Sequence, residues 1–157
     1  MEKRDDHGIL NIKDKHLNEI HDYLLNRLNY LLHDTGQKVL DTSVLTFNKD
    51  FFKIKKNCKL IKSHSNQIKK KVPQDSLIAD AAIGLNLEMD EFTDMLTLMY
   101  QNETVEGNHK VNGKQTLIKR LNNNVFKEYN YIVDFILDQK YKRDQVKKDA
   151  GILHKMF

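Results

Sequence analysis

The chain has 157 residues, the size of one ordinary domain, and 39% hydrophobic against 31% charged residues, with one proline and six glycines; such a balance suits amphipathic helices and leaves little material for a turn-rich β protein. A single cysteine, Cys58, excludes an intramolecular disulfide and an all-cysteine zinc site and fits a reducing compartment. The formal net charge is only +4, the charged start leads into no signal-like apolar stretch, and no run approaches the ~20 apolar residues of a membrane span; the expectation is a soluble, cytoplasmic, all-α domain over 1–157 with no membrane partner.

In chain order, Leu17, Ile20, Leu24, Leu28 and Leu31 recur at spacings of three and four, one stripe of a helix over about 14–34 that the Thr35-Gly36 pair would end. Val44, Phe47, Phe51, Ile54, Cys58, Ile61, Ile68 and Val72 repeat the alternation, broken only at Ser65 and stopped by Pro73. This second helix is long, basic and narrow-striped. Its seam favours packing against another helix, and a second copy of the chain is one way to cover it, so a homo-oligomer is expected. Residues 1–73 thus read as a basic helical hairpin and 74–157 as a second helical part.

Asp75 or Ser76 can cap a third helix with the stripe Ile78, Ala81, Ala82, Leu85, Met89, Phe92, Leu96 and Met99. From Gln101 to Lys114 the chain is polar, carries two glycines and loses helical period, which predicts a loop or short hairpin. A fourth helix uses Ile118, Leu121, Val125, Ile132, Phe135 and Ile136, and a shorter fifth uses Val146, Ala150 and Leu153. The fold predicted is a bundle of about five helices.

Two patterns carry possible chemistry. Lys49 to Lys71 holds nine lysines against the lone acid Asp50. Either the run is a solvated face, or Lys53, Lys55, Lys56, Lys59, Lys62, Lys69, Lys70 and Lys71 meet nucleic-acid phosphates or an acidic protein surface. Phe51 and Phe52 sit near its start and are not interleaved with the lysines, which points to backbone or partner contact in place of base stacking. The second pattern is acidic. Glu88, Glu91 and Asp94 step along the third helix at i, i+3 and i+6, and Glu128 interrupts the apolar stripe of the fourth. A carboxylate at the edge of a buried stripe is costly to leave unpaired; a salt bridge to one of the many lysines and a shared divalent cation both keep it charged.

The stretch Leu77-Ile-Ala-Asp-Ala-Ala-Ile-Gly-Leu-Asn-Leu-Glu-Met-Asp-Glu-Phe-Thr-Asp94 resembles the helix of phage-type MazG-like nucleotide pyrophosphohydrolases, in which an Ala-rich Gly-Leu stretch precedes Glu-x-x-Glu. Lys127-Glu128-Tyr-Asn-Tyr131 stands where that family has Glu-x-x-Asp, and Val146 to Phe157 where it has a C-terminal helix rich in small and basic residues; the resemblance spans about residues 75–157. It implies Mg²⁺ held by Glu88, Glu91 and Glu128, a catalytic role for Glu91, and hydrolysis of nucleoside triphosphates with release of pyrophosphate. The sequence departs from the pattern at Tyr131, and Asp134 lies on the opposite face, so either Asp94 serves as a substitute ligand or the chain keeps the scaffold without the chemistry. The alternative is a non-enzymatic helical phage or mobile-element protein that binds nucleic acid or a host protein, for which the Lys- and Asn-rich composition of A/T-rich genomes is an association.

Weaker signals have ordinary explanations. His21-Asp22 and His33-Asp34 fit a His-Asp phosphohydrolase, and Arg27 to His33 a helical RNase, but such pairs are more often exposed dipeptides. Asn108-His109-Lys110 and His64 lack companions at metal-ligand spacing and read as solvent-exposed histidines, and Cys58 as a small core residue.

Overall fold

A computed structural model of the chain describes residues 8–43, 45–101 and 107–156, and within the last stretch the side chains of 113–151. It contains four continuous helices and, among the described residues, no strand. Helix α1 joins Asp14–Glu19, a π turn Ile20–Leu24 and Leu25–Asp41; α2 is Phe47–Lys71; α3 is Leu77–Gln101; α4 joins Gly107–Arg120, a π turn Leu121–Val125 and Phe126–Met156. The chain is an all-helical bundle, with four helices where the sequence suggests about five. No helix among the described residues is long and apolar enough to cross a membrane.

Three boundaries differ from the sequence reading, each for a physical reason. Helix α1 does not end at Thr35-Gly36. The Thr35 hydroxyl donates to the Leu31 carbonyl at 2.7 Å inside the helix, and a Cβ on Gly36 would lie 3.2 Å from Leu121 Cδ2, so this glycine is a place of close approach between α1 and α4. The expected loop over 101–114 is helical from Gly107 onward, and a Cβ on Gly113 would lie 2.6 Å from Met99 Sδ, again where helices press together; residues 102–106 lie outside the described residues. The fourth and fifth helices are one, because Phe126–Met156 holds no proline and a single glycine, Gly151. Val146 and Ala150, expected on an apolar stripe, are exposed.

Neighbouring helices run antiparallel, as in up-and-down bundles. Asn57 Nδ2 of α2 donates to Asp34 of α1 at 2.8 Å, while Lys71 at the far end of α2 lies 3.7 Å from Glu19. Between α2 and α3, Ser65 Oγ donates to the Ala82 carbonyl at 2.6 Å, and Asn86 Nδ2 to the Lys62 carbonyl at 3.2 Å. The polar break in the α2 stripe is therefore a helix-to-helix hydrogen bond, made possible by the small residues Ala79, Ala81 and Ala82. Ser76 caps α3, its Oγ accepting from the Ala79 amide at 3.2 Å. Tyr129 of α4 closes the ring, donating its buried hydroxyl to the Leu25 carbonyl of α1 at 3.2 Å.

All four helices feed one contiguous core. Ile54, Cys58, Ile61 and Ile68 are at most 1% exposed, so the narrow seam of α2 is covered within the chain by α1 and α3 and calls for no second copy. Cys58 is core, as expected, and burial pushes its thiol up to about 12. His64, expected at the surface, is buried; its ring meets Tyr23 edge-on at 6.1 Å, and its Nδ1 has no hydrogen-bond partner among the described residues.

Helix α4 is about 75 Å long at 1.5 Å per residue, roughly twice α2 or α3. The segment Gly8–Lys13 straps against it. Gln139 donates Nε2 to the Gly8 carbonyl at 2.9 Å and accepts from the Leu10 amide at 3.0 Å, and Arg143 reaches the Leu10 carbonyl at 2.9 Å and Asp14 at 2.6 Å. Beyond Gln145, every side chain from Val146 to Gly151 is exposed.

Candidate functional site

Two acidic side chains, Glu128 at Gly84 and Glu88 one turn along, lie near each other on the face shared by α3 and α4. The antiparallel crossing brings Glu128 over Gly84. A Cβ at Gly84 would stand 1.7 Å from Glu128 Oε2 and 2.8 Å from its Cδ, so the carboxylate fills the space a side chain would take. One turn along α3, Glu88 is held by the other strand of contacts from α4: Arg120 Nη1 at 2.6 Å and Asn124 Nδ2 at 3.4 Å. Desolvation pushes the Glu128 carboxyl above the usual range; Lys127 opposes this and the nearby Glu88 charge adds to it. The result is a half-buried carboxylate pair flanked by one guanidinium and one amide, a place where charge is expensive unless a cation or a proton joins it.

Of the acids expected here, Glu88 and Glu128 are brought together and two are not. Glu91 and Asp94 are exposed on α3 and make no described contact with either. Asp90, just before Glu91 in sequence, pairs instead with Lys62 of α2. Tyr131 is 40% exposed and stacks near Phe135, with ring centroids 6.4 Å apart. Among the described residues no group of three or more His, Cys, Asp or Glu is placed to hold a metal ion. The sequence reading missed Arg120, Asn124 and Gly84. Their signal was the spacing Arg120, Asn124, Glu128 at i, i+4, i+8 on one helix face, opposite a glycine in an Ala-rich helix.

The eight lysines of α2 beyond Phe51 divide into two sets. Lys62 pairs with Asp90, Lys71 with Glu19, and the Lys55 ammonium lies 5.6 Å from the Phe51 ring centroid. Lys53, Lys56, Lys59, Lys69 and Lys70 are exposed and form no ion pair with a described acid. Asp50 is tied up at the helix start, accepting from the Thr42 hydroxyl at 2.7 Å.

The His-Asp pairs do not assemble a centre. The His21 ring and the Asp22 carboxylate pair with each other at 2.6 Å on the surface. Asp34 is occupied by Lys38 and Asn57, which hold its carboxyl below the usual range, while His33 leans on Phe126 and Arg27 lies over Tyr30. His109 lies outside the residues whose side chains are described. Comparison of the chain with protein-family models, with curated proteins and with solved structures finds no match.

Proposed function

We propose that the α3–α4 face is a Mg²⁺-dependent nucleotide site and that the chain acts as a MazG-like nucleoside triphosphate pyrophosphohydrolase. The observation that supports this reading is the approach of Glu88 to Glu128 across two helices, over the space left by Gly84. Hard carboxylate oxygens are the donors Mg²⁺ takes, and the ion commonly binds through one or two of them plus substrate phosphates. In this reading Glu88 and Glu128 hold the ion, exposed Glu91 and Asp94 border the approach from solvent, and Arg120 exchanges Glu88 for a phosphate group. When bound, Mg²⁺ neutralises phosphate charge and lowers the pKa of a coordinated water.

The test is pyrophosphate release from the common nucleoside triphosphates by the full chain with Mg²⁺. Glu88→Gln and Glu128→Gln are each expected to lower turnover by about 10- to 100-fold or more, the range seen when metal sites lose supporting groups, and Glu91→Gln, exposed and off the pair, to lower it less. Mg²⁺ is also expected to raise the melting temperature of the wild type. A wild type with neither turnover nor Mg²⁺-linked stabilisation overturns the proposal.

A second reading, a non-enzymatic helical protein, is favoured by the Arg120–Glu88 ion pair at 2.6 Å. There the pair is a clamp between α3 and α4, and Arg120→Gln destabilises the fold, whereas in the enzyme it lowers turnover more than stability.

A further inference from the structure

From residue 51 to the end of α2 the sequence holds eight lysines and no acid. One side of this helix is buried by α1 and α3, through Phe51, Ile54, Asn57, Cys58, Ile61, His64, Ser65 and Ile68. The opposite side is set by what remains: Phe52, Lys56, Lys59, Ser63, Asn66 and Lys70 recur at steps of four and three, a straight outward stripe about 27 Å long. Its last three turns form an open groove lined by Lys59, Lys62, Ser63, Asn66, Gln67 and Lys70.

The stripe has three properties. Its charge is mostly unpaired: Lys56, Lys59, Lys69 and Lys70 are exposed and form no ion pair with a described acid, while Lys62 pairs with Asp90 and Lys53 lies near Asp50. Its neutral members, Ser63, Asn66 and Gln67, are short hydrogen-bonding groups of the kind that meet phosphate oxygens alongside lysine. It carries one aromatic ring, Phe52, which stands at one end of the stripe against Tyr100 and Phe51 and is not interleaved with the lysines. Positive charge with amide and hydroxyl groups on a rigid helix, and no aromatic ring between the lysines, complements the backbone of a duplex better than unpaired bases.

We propose that the outer stripe of α2 binds the phosphate backbone of duplex nucleic acid without reading its sequence. The surface is separate from the α3–α4 carboxylates, so the two proposals stand or fall independently. The exposed lysines of the stripe can neutralise roughly three to five phosphates.

The experiment is fluorescence anisotropy of the full chain with a labelled duplex of about 20 base pairs and arbitrary sequence, titrated with NaCl. Affinity is expected to fall roughly 50- to 500-fold between about 50 and 200 mM salt, as release of counterions from three to five phosphates requires. The variant K56Q/K59Q/K70Q is expected to lose binding at about 50 mM salt, and each single change to flatten the logarithmic salt slope by about one unit. K13Q/K147Q/K148Q removes the same charge from exposed positions elsewhere and is expected to leave the curve in place. No binding by the wild type at about 50 mM salt, or an equal loss in the control variant, overturns the proposal. Tighter binding to polyglutamate than to the duplex overturns it in favour of an acidic protein partner.

Discussion

At Gly84 the missing side chain is the room in which the Glu128 carboxylate lies. Because the obstructing atoms are the far end of a flexible side chain, Gly84→Ala is expected to keep the fold and to swing Glu128 into solvent. Removing a helical glycine contributes up to about 1 kcal/mol, so the melting temperature should stay level or rise; a fall of several degrees would mean that the helices themselves are forced apart. The folded pKa of Glu128 is raised, so its favourable contribution exists below the unfolded carboxyl value and is lost as pH rises through the folded one. Glu128→Gln should therefore stabilise relative to wild type at pH 7 and much less at pH 4, read by thermal melts at both. His64 has the opposite sense. Burial, with Arg27 nearby, lowers its pKa, so stability present above the unfolded histidine value drains away as pH falls through it. His64→Leu should flatten the dependence of melting temperature on pH between about 7 and 5, the window set by an ordinary histidine near 6.5; an unchanged slope would place the titration elsewhere.

At the scale of helices, α2 and α3 were legible because their apolar residues keep one stripe from end to end and a serine and a proline punctuate the gap between them. The ends of α1 and α4 were not. Gly36 and Gly113 look like stops when only local signals are weighed, yet both sit where a partner helix comes within reach of a missing Cβ. Tertiary packing overrides propensity there, and no spacing within one helix reports the approach of another. Hydrogen bonds across the crossings can be weighed directly. Ser65→Ala and Tyr129→Phe each remove a buried hydroxyl that satisfies a carbonyl on a neighbouring helix, and each is expected to cost about 1 kcal/mol in urea unfolding. A cost near zero for either would show that water replaces the lost donor.

For the whole molecule, the acidic pair was half legible. Glu128 announced itself by breaking an apolar stripe, and its meeting with Glu88 follows from antiparallel helices. Arg120 and Asn124 stayed hidden because the segment before them reads as loop. The same scale governs the strap formed by Gly8–Lys13, which rests on Gln139 and Arg143. Gln139→Ala leaves a backbone donor and a backbone acceptor without their partner, so hydrogen exchange at Leu10 should accelerate well before exchange in the α2–α3 core does; uniform acceleration would mean that the strap and core open together. Past Gln145, the described side chains of α4 turn to solvent. Residues 146–151 bury no side chain, and a helix segment without buried contacts opens at lower free energy than the packed core. The overhang is thus a built-in weak link for proteases: limited trypsin digestion should cut first after Lys147 or Lys148 and leave a fragment that melts like the intact chain.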